Sequence, residues 1–406
     1  MSGKWPGGFI KKTAPTVVGP VDGEGGSASG IWTLDQAADY EQRGLWPAPV
    51  LSRKLYMWGL GSNGSLGQGN TTSYSSPVQV GALVTWTKVA VGYLIGIANK
   101  TDGTLWGWGY NNIGVLGVGN TTNYSSPVQI GALTNWSVNI SCGQSSVAAI
   151  KTDGTLWTWG YSAQGQGGRG NTTSVSSPVQ VGALTTWSKI AMGNNAYHAA
   201  AIKTDGTLWT WGMNYAGALG LGNTTYYSSP VQVGALTTWS TVAAGYNCTS
   251  AIKTDGTLWA WGFNSVGQVG DGSTTNRSSP VQVGALTTWL SVACGGYHVI
   301  ATKTDGTLWA WGKNSSGELG QGNTTNYSSP VQVGALTTWS KLGAGYQYSC
   351  AIKTDGTLWA WGQNNQGQLG VGNKTGYSSP VQVGGLTSWL NVASGGYPTN
   401  GGITKS

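Results

Sequence analysis

The sequence predicts an all-β protein, a seven-bladed β-propeller of four-stranded blades preceded by an irregular and partly helical N-terminal segment. Three observations carry that prediction. The dipeptide Trp-Gly recurs at Trp58, Trp108, Trp159, Trp211, Trp261, Trp311 and Trp361, at intervals of 50, 51, 52, 50, 50 and 50 residues. A fixed period of that size, rich in short strands, is the signature of blades repeated around an axis. Most repeats carry an Asp-Gly pair between two short apolar runs, the chemistry of a tight hairpin. Finally, the first repeat lacks that hairpin, and the stretch Gly402-Ile403-Thr404-Lys405-Ser406 looks like the missing strand. Pairing it beside Arg53–Trp58 would close the ring and leave no open edge.

In chain order, residues 1–50 come first and differ in kind. MSGKWPGGFIKKTAPTVVGPVDGEGGSASG is Gly/Pro-rich and irregular. In IWTLDQAADYEQRGLWP, Thr33 and Gln36 form a capping box for a short helix over about residues 33–43. Gly44 ends it and Pro47 prevents its continuation. Trp32, Leu34, Leu45 and Trp46 are apolar groups that so short a helix cannot bury alone. They pack on the propeller's own rim or form a docking peptide.

Residues 51–406 are the propeller. The repeat from Ala251 shows its logic. Ala251–Lys253 and Thr257–Trp261 flank Asp255-Gly256; Val281-Gln282-Val283 follows Pro280; Leu290–Ala293 follows the connector GALTTW. In a strand Trp259 and Trp261 share one face, with Leu258 and Ala260 on the other. Trp289 makes three tryptophans in the repeat, large flat fillers between twisted sheets.

Only 8% of residues are charged, the net charge is +7, and Lys and Arg are scattered singly rather than in a basic stripe. Nucleic-acid binding is therefore not expected. Cys142, Cys248, Cys294 and Cys350 sit in different repeats without metal-ligand spacing, which reads as free thiols. The segment MSGKWPGGFIKK has no apolar signal-peptide core, and no stretch is apolar enough to insert in a membrane.

The recurring pattern resembles a known family. Trp361-Gly362-Gln363-Asn364-Asn365-Gln366-Gly367-Gln368-Leu369-Gly370, then SSPVQV, WxxVAxG and AIKTDGTLWAWG, is similar to the repeat of regulator-of-chromosome-condensation propellers over roughly residues 51–406. The resemblance implies seven blades and leaves function open, because such propellers serve as exchange factors, inhibitors and adaptors. A second, shorter resemblance lies in Gly30, Ile31, Trp32, Thr33, Leu34, Gly44, Trp46 and Pro47, which match a motif of tailed-bacteriophage structural proteins. It implies a virion protein, assembled in the host cytoplasm, whose N-terminal segment docks on other virion proteins.

Strand parity divides the disc into two faces. With strands taken in the order PVQV, WxxVA, AIK and TLWAWG, one face carries GALTTW and KTDG, nearly identical in every repeat. The other carries the segments after VAxG and after WG, which vary most. After WG stand Leu60, Tyr110, Tyr161, Met213, Phe263, Lys313 and Gln363; after VAxG stand Tyr93, Tyr197, His198, Tyr246, Tyr297, His298, Tyr346 and Tyr348, among others. Aromatics and amides in this density suit sugar rings or protein epitopes. Drift among exposed loops is the alternative.

Catalysis finds little support. His198 and His298 lie in corresponding loops without a paired carboxylate, and the aspartates of the Asp-Gly turns are turn residues rather than a calcium site, which needs converging oxygens. Asp271 and Glu318 are offset in equivalent loops and make a poor glycosidase pair. No cofactor or metal is expected. The expected function is a non-enzymatic virion protein such as a tail fibre or spike. It would be multicopy or homo-oligomeric on the particle, and its variable face would bind a host-surface glycan or protein. The alternatives are an architectural virion component and a soluble protein-interaction propeller.

Overall fold

The computed structural model describes residues 52–193, 197–396 and 398–405. The expected helix near residues 33–43, with Trp32, Leu34, Leu45 and Trp46, lies outside them. The strands form seven antiparallel four-stranded sheets, the blades of one propeller. In the fourth blade they are Trp239–Ala244, Cys248–Lys253, Leu258–Gly262 and Arg277–Gln282, paired in that order. The first strand of every blade lines a central channel, so the chain runs from axis to rim.

This corrects the strand order read from the sequence. PVQV is not the strand beside WxxVA but the outermost strand of the preceding blade, where Trp259 pairs with Gln282 and Ala260 with Val281. The Gly-rich loop returns the chain onto the strand it has just left, a closure that costs less entropy than reaching a more distant partner. GALTTW then crosses from rim to axis of the next blade. The assignment of connectors to faces is unchanged.

Ring closure occurs as the chain ends predict. Trp389–Ser394, Thr399–Lys405, Arg53–Gly59 and Tyr74–Gln79 form the seventh blade, with Leu55 opposite Ile403. The Trp-Gly tryptophans then fasten blade to blade. Trp311 Nε1 donates to Gln268 O of the preceding blade at 3.1 Å, and Trp58 Nε1 donates to Gln368 O at 3.0 Å, joining the seventh blade to the sixth. The first-strand tryptophan packs edge-on against both members of the Trp-x-Trp pair, as Trp289 does against Trp309 and Trp311 at 6.1 and 6.0 Å. Truncating a buried tryptophan of this kind costs on the order of 3–5 kcal/mol.

The hairpin KTDGT is a structural module. Asp255 Oδ1 accepts from Thr257 N at 2.9 Å and from the Thr257 hydroxyl at 2.7 Å, and Thr257 Oγ1 accepts from Trp259 Nε1 at 2.9 Å. The Lys253 ammonium lies 3.7 Å from the Trp259 ring centroid and 5.2 Å from that of Trp239, a cation–π sandwich. Desolvation lowers the lysine's pKa, and Asp255 partly restores it. Gly256 is required: its φ is +76°, and a Cβ there would lie 2.2 Å from Thr287 O.

Candidate functional site: the variable face

Five of the seven loops after Trp-Gly are held by an asparagine, and Gly61 and Ser162 stand at that position in the other two. Asn264 Oδ1 accepts from Val269 N at 2.8 Å, while its Nδ2 donates to Ser273 O at 3.1 Å and Thr275 O at 3.0 Å. Asn111, Asn214 and Asn364 repeat the arrangement. With the loop fixed from beneath, the residue before the asparagine is presented on a stiff platform, which limits the ordering cost of binding.

The structure places Leu60, Tyr93, Tyr110, Tyr161, Tyr197, Met213, Tyr246, Phe263, Tyr297, Lys313, Tyr346 and Gln363 half-buried on this face. It brings many of them together. Tyr297 is the hub, with ring centroids 4.9 Å from Tyr246, 6.2 Å from Phe263 and 5.8 Å from Tyr346. Phe263 continues to Tyr215 at 6.0 Å, and the Lys313 ammonium lies 5.6 Å from the Tyr297 ring. Tyr161 packs on Tyr197 at 5.4 Å. Tyr93 and Tyr110 form a separate pair at 6.5 Å. Burial and neighbouring phenols raise the pKa values of Tyr197 and Tyr297, so both hydroxyls stay protonated and can donate hydrogen bonds. Between the sixth and seventh blades, Leu60, Tyr346, Gln347, Gln363, Asn365 and Pro398 help line a pocket of about 290 Å³.

Three of the expected face residues are not on the surface. His198 and His298 are 0% exposed and Tyr348 is 1% exposed. Each begins the second strand of its blade, at the position of Ile95 and Cys248, and points into the packing between blades. His198 Nε2 lies 3.0 Å from Thr249 Oγ1, whose proton goes to Ala218 O, so the imidazole donates. His298 is bound to Ser349 in the same way, at 2.8 Å. Tyr348 OH reaches Thr399 O at 3.1 Å. Desolvation pushes His198 down to about 4 and His298 to about 3, so both are neutral near pH 7. Tyr215, 51% exposed, was missed. Its position varies among repeats (Ser62, Asn112, Ala163, Ser265, Ser315, Asn365), the same signal that marked Met213.

The remaining polar candidates serve the loops. Glu318 Oε2 accepts from Ser316 N at 2.6 Å, at the position where Gln268 and Gln368 accept equivalent bonds from Val266 and Gln366. Asp271 is paired with Arg277 at 2.6 Å. The four cysteines are buried free thiols. Among the described residues no group of His, Cys, Asp and Glu could hold a metal ion, and no helix is long and apolar enough to cross a membrane.

Residues 54–400 match the family model of the RCC1-like domain. The chain belongs to that family. Among curated relatives, the ultraviolet-B receptor UVR8 of Arabidopsis thaliana is 31% identical over 189 residues, 46% of this chain and 43% of that protein. The human E3 ubiquitin-protein ligase HERC2 is 28% identical over 216 residues, 52% of this chain and 4% of that protein. The matches thus span less than half of either relative. Among solved structures, human WBSCR16 superposes with a TM-score of 0.77 at 20% identity, covering 87% of this chain and 99% of that one. Prp20p of Saccharomyces cerevisiae superposes with a TM-score of 0.76 at 19% identity, covering 91% and 94%. At these identities the likeness is one of fold.

Proposed function

We propose that this RCC1-like propeller is a non-catalytic protein-interaction module that binds its partner through the variable face. The observation that carries the reading is the aromatic arc around Tyr297. Tyr215, Tyr246, Phe263, Tyr297 and Tyr346 come from the third to the sixth blades and meet in one continuous run of ring contacts on that face. Clustered tyrosines on a rigid frame are efficient anchors, because they bring large area at a small entropic cost. The family supports this class of function: Prp20 is described bound to Kap60, and its binding to Gsp1p and histones has been described. An exchange factor that inserts a protruding wedge fits less well, since the repeats differ in length by only one or two residues.

A virion setting is a narrower form of the same reading. In it, residues 1–50 dock on other virion proteins and the arc meets a host-surface glycan or protein. Its support is the motif from Gly30 to Pro47 alone, and no relative reported above is a virion protein.

The test is site-specific photocrosslinking in the native host extract, using the full chain. Benzoylphenylalanine in place of Tyr297 should give a discrete protein adduct, and in place of Leu236 on the opposite face it should not. Adducts at Leu236 and none at Tyr297 would defeat the proposal.

A further inference from the structure

The central channel is bounded by all seven first strands and encloses about 240 Å³. Its wall is made of small and apolar residues such as Ala90, Ala191, Ala243 and Ala393, and among the described residues the one charged side chain lining it is that of Lys88. Lys88 is the third residue of its strand, two positions after Trp86 and close to the GALTTW face. The same register position, set by pairing with the second strand, holds Lys189, Thr241, Ser291, Lys341 and Asn391 in other blades. In a chain so poor in charge, three of these six side chains are lysines and none is acidic. Lys189 and Lys341 are exposed although they lie on innermost strands, and the Lys189 ammonium donates to Ser240 O on the first strand of the next blade.

Two observations show that the charge at this mouth is unbalanced. The charged neighbour that acts on Lys88 is Lys341, and burial together with that like charge holds the Lys88 pKa below the ordinary lysine value. Beside it, Asn99 pairs directly across the strand from Lys88, so both side chains leave the same side of the sheet. Asn99 is buried and, among the described residues, neither of its amide atoms is hydrogen-bonded, at a position that is Ile202, Ile252 or Ile352 in other blades. Asn391 donates to Thr87 O at 3.3 Å and leaves its own Oδ1 unpartnered. An isolated ammonium beside orphaned amides is costly to bury and is relieved by an anion that accepts from them.

We infer that the channel mouth on the GALTTW face binds a multivalent oxyanion, a phosphate or pyrophosphate group, through Lys88, Lys341 and Lys189. Three monocations occupy one register position on the innermost strands of the first, third and sixth blades, which matches a compact polyanion better than a single carboxylate. The site is on the opposite end of the disc from the aromatic arc and stands or falls independently of it.

The experiment is titration calorimetry of the full chain with inorganic pyrophosphate at low, constant ionic strength. Saturable binding by the parent is expected. Lys88→Gln should weaken it about tenfold, the effect of losing one charge-assisted contact. Lys88→Gln with Lys341→Gln should abolish it, and Lys374→Gln, a surface change elsewhere, should leave it intact. Because one variant could perturb folding, Lys189→Gln is run separately, and every protein is checked by thermal melting. Absence of saturable binding by the parent, or unchanged affinity in the double variant, would overturn the inference. A hexaglutamate peptide that binds through the same lysines while pyrophosphate does not would overturn it too, in favour of an acidic peptide.

Discussion

Replacing His198 with glutamine should remove part of the protein's sensitivity to mild acid. Both histidines are fully buried and neutral, with folded pKa values of about 4 for His198 and about 3 for His298, against 6.5 for the ordinary side chain. The unfolded chain therefore takes up the proton first. The stability each ring contributes is complete above pH 6.5 and falls as the pH drops toward the folded value. Integrating proton uptake from pH 7.5 to 4.5 gives a loss of about 2.5 kcal/mol for each histidine. The hairpin aspartates Asp153, Asp205, Asp255, Asp305 and Asp355, held below their usual 3.8 chiefly by the threonine hydroxyl, act only at lower pH. Glu318 works in the opposite sense, but it is common to parent and variant and cancels in their difference. Urea unfolding of the parent and His198→Gln at both pH values isolates the quantity: the variant should lose about 2.5 kcal/mol less than the parent. Parallel losses would refute a buried neutral imidazole.

Two further substitutions follow from the loops. Gly256→Ala and Gly284→Ala both force alanine into a left-handed conformation, at about 1 kcal/mol. Gly284 has open space around its missing Cβ, whereas at Gly256 a Cβ lies 2.2 Å from Thr287 O, so Gly256→Ala should lower the melting temperature severalfold more. Equal shifts would contradict the described hairpin. Glu318→Gln should stabilise the fold at pH 7, because desolvation raises the folded carboxyl above 4.5 and disfavours its charged form. That advantage should shrink as the pH falls through the raised folded pKa, as read from urea midpoints at pH 7 and pH 5. An unchanged midpoint at pH 7 would count against burial of the carboxylate.

Much of the architecture was legible in the sequence because it rests on local rules. The Trp-Gly spacing fixed the number of blades, Asp-Gly marked the hairpins, and the strand-like tail around Ile403 revealed the closure opposite Leu55. The partner of PVQV was not legible, since a strand's neighbour depends on the path of a Gly-rich loop and not on its own residues. His198, His298 and Tyr348 were misplaced for a related reason. Alternation assigns a side chain to a face only once the strand's first residue is known, and here the loop ends one residue earlier than the sequence suggests. Tyr215 could have been found by extending the comparison of repeats two residues past Met213. The lysine sandwich of Lys253 between Trp239 and Trp259 could not, because it joins residues of three strands.

The central claim is that the aromatic arc is a binding surface, and its most direct test is affinity. Tyr297 is the hub, with Tyr246 and Phe263 against it. For the protein captured at Tyr297, the dissociation constant should be measured with the full-length parent and with Tyr246→Ala/Phe263→Ala/Tyr297→Ala. Two kcal/mol or more per anchor corresponds to roughly thirtyfold per residue, so the triple variant should bind at least a hundredfold more weakly while melting as the parent does. Equal affinities in two folded proteins would contradict the account and leave the variable loops without a role in recognition.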